Sequence, residues 1–203
     1  MKIYEQMNDL YNKLRLDKDV CVHPYPVEFI RSFFAIIGVT KPKRIIEFGP
    51  RNGYTTIMMA GAAKYFSSDC KIVSYDTWEN QTKGELGSTP RIEQTAQNLK
   101  RYEVDDIIDL KECNFWEWIK EPEEFDLLYV DIENDGEKIN CLYDAVKDRI
   151  EEGAIVLFEG GSIERDNVAW MKEQSKTTFN SIKDRVGYKT LCDGKYSLSV
   201  IKK

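Results

Sequence analysis

Ile3, Met7, Leu10, Tyr11 and Leu14 recur at helical spacing, and a second helical pattern runs from Val27 to about Ile37 after the break at His23-Pro24-Tyr25-Pro26. Beyond Gly38 the pattern changes to short apolar runs of strand length: Arg44 to Phe48, Lys71 to Tyr75, Ile107 to Leu110, Phe125 to Val130 and Ala154 to Phe158. Such continuous runs suit strands buried on both faces of a parallel sheet. Helical stretches separate or follow them at Tyr54 to Phe66, Ile92 to Tyr102, Phe115 to Lys120, Lys138 to Ile150 and Ile163 to about Gln174. This alternation predicts right-handed crossovers, a sheet covered on both faces, and ligands at the carboxyl ends of the strands. In the tail, Tyr188 to Cys192 and Tyr196 to Ile201 are strand-like and flank Asp193-Gly194, a dipeptide suited to a tight hairpin turn. The expectation is an α/β fold, a Rossmann-like three-layer sandwich. Its mostly parallel seven-stranded sheet ends in an antiparallel hairpin. Residues 1–203 form one domain, with 1–40 as an N-terminal helical cap and 41–203 as the core.

Composition narrows the class. The chain has 203 residues, 42% of them hydrophobic, with 29 Lys and Arg against 35 Asp and Glu for a net charge of −6. That is enough apolar content for a core and too much for a disordered chain, while no apolar run approaches the ~20 residues that a membrane-spanning helix needs. The N-terminus lacks the apolar run of an export signal, so a cytoplasmic location is expected. Crowded carboxylates between Asp105 and Glu137 oppose a nucleic-acid surface, because duplex binding requires Lys and Arg to neutralise phosphates. Small-molecule partners are favoured. Five scattered cysteines with no C-x-x-C pair read as reduced thiols. One histidine leaves little material for a zinc site or a histidine-based hydrolase.

The segment Ile45-Ile46-Glu47-Phe48-Gly49-Pro50-Arg51-Asn52-Gly53-Tyr54-Thr55-Thr56 passes from a buried strand through a glycine turn into a helix. Glycine allows close backbone approach to a ligand, and the following helix N-terminus favours an anionic group. The spacing of Gly49 and Gly53, with Arg51 between them, departs from the dinucleotide fingerprint G-x-G-x-x-G and weakens a nicotinamide reading. Asp76 closes the next strand, where a carboxylate can accept both ribose hydroxyls of an adenosine-containing ligand. Trp78 could flank an adenine or simply fill the core.

These words resemble the class I S-adenosylmethionine-dependent methyltransferases, and among them the small catechol-type O-methyltransferases. The matching segments are Glu47-Phe48-Gly49 with Gly53-Tyr54-Thr55, Tyr75-Asp76, Asp126-Leu127-Leu128-Tyr129-Val130-Asp131, and Gly153-Ala154-Ile155-Val156-Leu157-Phe158 before the hairpin. By that resemblance Glu47, Gly49, Gly53 and Asp76 take the donor roles, with Asn114 or Phe115 by the adenine. Asp131 lies at the ligand edge and is the best catalytic candidate. The resemblance also implies a divalent-cation site after the fourth and fifth strands. Asp131 and Glu159 could supply two oxygen ligands for magnesium, but the third is missing and Asn134 stands where the catechol enzyme has its lysine.

His23 is a candidate base from the N-terminal cap, against a plain loop histidine. Glu159-Gly160-Gly161-Ser162-Ile163-Glu164-Arg165-Asp166 could grip a polar acceptor through a flexible turn and a helix capped at Ser162, and Glu79 to Pro90 is either a lid or a surface loop. Glu133, Asn134 or Asp135 could complete a different oxygen site. The leading expectation is O-methylation of a small polar molecule with S-adenosylmethionine. The alternatives are transfer to nitrogen and a non-catalytic nucleoside-binding module on a degenerate methyltransferase fold. Homodimerisation through the N-terminal helices or the hairpin stays open.

Overall fold

The computed structural model describes residues 2–21, 25–66, 69–78 and 92–203. By their contacts these fall into two units, Met1–Asn114 and Phe115–Lys203. His23 and the candidate lid Glu79 to Pro90 lie outside the described residues.

In the first unit, α1 (Lys2–Leu16) buries Met7 and Leu14, and α2 (Val27–Thr40) buries Phe29, Ile30, Phe33, Phe34 and Ile37. Lys41 ends α2 in a left-handed conformation, its N–H returning to the carbonyl of Ile37, and Pro42 cannot continue the helix. Then follow β1 (Arg44–Phe48), α3 (Tyr54–Phe66), β2 (Lys71–Asp76), α4 (Ile92–Arg101), a tight turn at Asp105–Ile107, and β3 (Ile108–Glu112). The strands pair in parallel, Ile45 opposite Ile72 and Ser74 opposite Leu110. β1 is buried from Ile45 onward, whereas β3 carries exposed Asp109 and Lys111, charges that discourage pairing at an open edge.

The second unit holds α5 (Phe115–Trp118), β4 (Leu127–Val130), α6 (Gly136–Glu151), β5 (Ile155–Glu159), α7 (Ile163–Asp166), α8 (Ala169–Glu173), α9 (Asn180–Lys183), β6 (Tyr188–Cys192) and β7 (Leu198–Ile201). β4 and β5 are parallel and fully buried, while β7 runs antiparallel to both β5 and β6. The seven strands together make the mostly parallel sheet with an antiparallel C-terminal hairpin expected of a Rossmann-like fold.

Several local expectations need correction. The single helix from Ile163 to Gln174 is two short ones, because Asn167 Nδ2 closes the first by donating to the Ile163 carbonyl and Val168 turns extended. Asp193-Gly194 is not a two-residue hairpin turn, since β7 begins at Leu198, after a register shift between Thr190 and Cys192. The connection is instead fastened to the turn after β5: Gly160 N–H donates to Ser197 O, and Ser162 Oγ to Gly194 O. In α5, Phe115 and Trp118 are buried as core packing requires, but Trp116 is 44% exposed.

Candidate active site

In the first unit the site is built on the carboxyl end of β1. Glu47 is fully buried, and its carboxylate accepts the hydroxyls of Thr55 at 2.7 Å, Thr56 at 2.6 Å and Ser74 at 2.7 Å. A buried carboxylate is tolerated only when so satisfied, and the N-terminal turn of α3 adds favourable polarity. Glu47 therefore joins the end of β1, the middle of β2 and the first turn of α3 at one node. The loop leaving that node coils tightly, with φ of 88° at Gly49, 45° at Arg51 and 93° at Gly53. Gly49 N–H donates to Tyr75 O at 3.0 Å, which fastens the loop to β2. α4 holds the loop from the other side. Thr95 donates its hydroxyl to Arg51 O, and Asn98 Nδ2 donates to Asn52 O at 2.9 Å.

Asp76 ends β2 with 8% of its surface exposed. Its Oδ1 accepts the backbone N–H of Thr77 at 2.8 Å and of Trp78 at 3.4 Å, and the Arg51 N–H also points to this carboxylate. Burial pushes its pKa above the ordinary 3.8, while these N–H groups and the Arg51 guanidinium oppose the rise. The glycine loop and Asp76 thus meet directly through Arg51. Trp78 is half-buried, and its indole N–H has no acceptor among the described residues. Register sets Glu112 of β3 opposite Asp76, and Cys113 N–H donates to Asp76 O at 3.0 Å, which brings exposed Asn114 to the same strand edge.

The second unit carries Phe115, Asp131 and Glu159. Phe115 is buried in α5, its ring 5.3 Å from that of Trp116. Asp131 follows β4 half-buried and accepts the hydroxyl of fully buried Tyr129 at 3.2 Å. Glu159, 4% exposed, receives Arg165 Nε on both oxygens at 2.7 and 2.9 Å. Burial pushes its pKa up to about 7, with Arg165 opposing and the Asp131 charge adding to the rise. Arg165 also lies over the Trp170 ring at 4.6 Å. Asn134, fully buried, donates to Val130 O at 2.7 Å and Glu159 O at 2.8 Å, fixing the turn after β4 to the end of β5. Lys138 Nζ donates to the carbonyls of Ile132 at 2.5 Å and Glu133 at 3.0 Å, and Asp135 caps α6.

Residues 46–159 match a family model described as "Methyltransferase domain". The chain belongs to this family. No curated protein matches the chain. Among solved structures, this methyltransferase is similar to an O-methyltransferase from Bacillus cereus in complex with SAH, with a TM-score of 0.65, 15% identity, and 98% and 91% of the two chains covered. It is similar also to the O-methyltransferase TomG from Streptomyces achromogenes, involved in tomaymycin synthesis and solved with SAM, with a TM-score of 0.62, 14% identity, and 98% and 90% covered. A third is the SAH-bound methyltransferase PaMTH1 from Podospora anserina, with a TM-score of 0.63, 15% identity, and 97% and 87% covered.

The residues after β4 and β5 of this methyltransferase do not fit a divalent cation. Both Glu159 oxygens are engaged by Arg165, Asp135 is used as a helix cap, and no three His, Cys, Asp or Glu side chains converge among the described residues. The turn after β5 is closely packed. A side chain on Gly161 would fall 2.2 Å from Ser199 Oγ and 2.5 Å from Tyr188 Oη. Sequence reasoning missed the hydroxyls around Glu47, the N–H of Arg51, the α4 contacts of Thr95 and Asn98, and the closure of Glu159 by Arg165. Two of these had a visible signal, the Thr55-Thr56 pair opening a helix after a strand-end acid and the charge density around Arg165. The α4 contacts join segments far apart in the chain and leave none.

Proposed function

We propose that the chain is an S-adenosylmethionine-dependent methyltransferase that methylates an oxygen of a small polar molecule. The carrying observation is Asp76, a buried strand-end carboxylate whose orientation is fixed by backbone N–H groups, one of them from the glycine loop. Such a group suits a pair of ribose hydroxyls, because hydroxyl donors supply the compensation that a buried charge lacks. Gly49 and Gly53 let the loop approach the methionine part of the donor, Glu47 sets that loop's geometry from beneath, and Trp78 with Asn114 or Phe115 is suited to the adenine. When bound, the donor supplies a methyl group on a sulfonium, displaced in line by the acceptor. Alignment is then the protein's main contribution, with removal of a proton where the acceptor needs it.

Asp131 is the proton acceptor in this reading, its carboxylate oriented by Tyr129. Glu159 supports that edge through its pair with Arg165 rather than acting alone. His23 remains a candidate base from the cap. One domain over 1–203, with 1–40 as cap and 41–203 as core, belongs to the same reading, and the family match covers residues 46–159 of it. No helix among the described residues is long and apolar enough to cross a membrane, and a cytoplasmic setting belongs to the same reading.

Titration calorimetry tests the donor half. S-Adenosylhomocysteine should bind the wild type in the micromolar range, and Asp76→Ala should weaken it by about 1.5–3 kcal/mol, the span for hydrogen bonds to a charged group. Absence of binding even at millimolar ligand would remove the proposal. The closed Glu159–Arg165 pair favours a second reading, a nucleoside-binding module without turnover. Release of S-adenosylhomocysteine from S-adenosylmethionine with any of a panel of hydroxyl acceptors would eliminate it, and methylated amines instead would move the reaction to nitrogen.

A further inference from the structure

Arg51 occupies a left-handed backbone conformation, φ 45°, at the centre of the glycine loop. Glycine or asparagine would sit there with less strain, so an arginine in this place asks for a role of its side chain. Its backbone needs no such side chain. The N–H serves Asp76, and the carbonyl accepts the hydroxyl of fully buried Thr95. The side chain is half-buried, and its Nε is screened from solvent with no hydrogen-bond partner among the described residues. A guanidinium N–H in that condition is an unspent donor.

Residues 47–56 carry two charged side chains, Glu47 and Arg51. Glu47 is saturated by three hydroxyls, which leaves Arg51 as the charge of the loop that a ligand can meet. The donor offers a sulfonium and an ammonium, both of which a guanidinium repels, and a single carboxylate, which it binds through paired N–H groups. We propose that Arg51 binds the α-carboxylate of the methionine part of the donor. This rests on the donor reading above and adds the group by which the loop recognises an amino acid rather than a bare nucleoside. The Asp76 contact serves the ribose and is common to any adenosine ligand, whereas the Arg51 contact requires the carboxylate. Thr95 and Asp76 hold the Arg51 backbone by its carbonyl and its N–H, so the loop that carries the guanidinium is already ordered.

The test compares S-adenosylhomocysteine with 5′-methylthioadenosine, which keeps adenosine and sulfur but lacks the amino-acid part, by calorimetry on the full chain. Arg51→Gly preserves the left-handed backbone, and Arg51→Lys preserves the charge. Arg51→Gly should bind S-adenosylhomocysteine ten-fold or more weakly and methylthioadenosine within two-fold of wild type, and Arg51→Lys should recover part of the loss. Unchanged S-adenosylhomocysteine affinity in Arg51→Gly would overturn the proposal. Equal losses for both ligands would overturn it too, by showing that Arg51 only shapes the loop. A wild type that binds neither ligand removes the donor reading and this inference together, an outcome distinct from a wild type that binds both with Arg51 indifferent.

Discussion

Asp76 is poised to make donor affinity depend on pH. In the proposed donor site its ionised form would accept ribose hydroxyls, and its protonated form could not accept both. Burial has raised its pKa above the ordinary 3.8, so as pH falls the carboxyl takes up its proton earlier than an exposed aspartate would. The sign for folding is the reverse. A raised carboxyl pKa stabilises the fold at pH below the ordinary value, and that contribution is lost as pH rises through the raised one, when the charge must be carried in a buried place. Ligand hydroxyls offset that cost, so binding releases a proton in this window. S-Adenosylhomocysteine affinity is expected to fall on acidification beginning above the usual aspartate range, and Asp76→Asn is expected to bind weakly with the slope removed. Calorimetry at several pH values in buffers of different ionisation enthalpy measures both affinity and proton release. An unchanged slope in Asp76→Asn would assign the titration to another group. The acid was legible because it closes an apolar run. The partners that hold it were not, since the Arg51 N–H approaches through a backbone conformation that no side-chain pattern announces.

At the scale of elements, the strands and the long helices were legible because burial on both faces leaves unbroken apolar runs, as in β1 and β5, and because α3 begins and ends where its periodicity does. The failures lie where polar side chains decide the backbone. Asn167 cuts a helix that periodicity would continue, and Ser162 and Ser197 set the length of the connection between β6 and β7. The turn after β5 shows the consequence most directly. Gly161, at φ 103°, is packed under Ser199 and Tyr188, whose hydroxyl donates to its carbonyl at 3.1 Å. Gly161→Ala should therefore destabilise the fold by about 2–4 kcal/mol, combining backbone strain with overpacking. Gly153→Ala, with open space around its site but a similar φ of 108°, should suffer the strain alone. Chemical denaturation of the two variants separates the contributions, and equal losses would show that packing at Gly161 adds nothing.

For the molecule as a whole, the excess of acidic residues invites cation binding in general, yet the geometry after β4 and β5 directs charge elsewhere. Arg165 occupies both Glu159 oxygens, Lys138 Nζ donates to the carbonyls of Ile132 and Glu133 after β4, and Lys176 stands 3.7 Å from Asp135. Protein cations fill the places that a resemblance to metal-dependent O-methyltransferases would give to magnesium. A guanidinium bonded to a buried carboxylate is part of the fold, and a metal would have to break that pair and leave Arg165 buried and unpaired, a loss of about 3–5 kcal/mol. Dialysis against a chelator should accordingly leave both the unfolding midpoint and S-adenosylhomocysteine affinity unchanged. Millimolar magnesium or manganese should shift neither beyond a control matched for ionic strength. Differential scanning calorimetry with and without each metal measures this. A saturable rise in midpoint with manganese that disappears in Asp131→Asn would show that the Asp131 edge takes a cation after all, and the arginine pairing would then have to yield to it. If the midpoint stays level, Arg165 and Lys138 are the cations of this edge, held there by the fold itself through Glu159 and the carbonyls of Ile132 and Glu133.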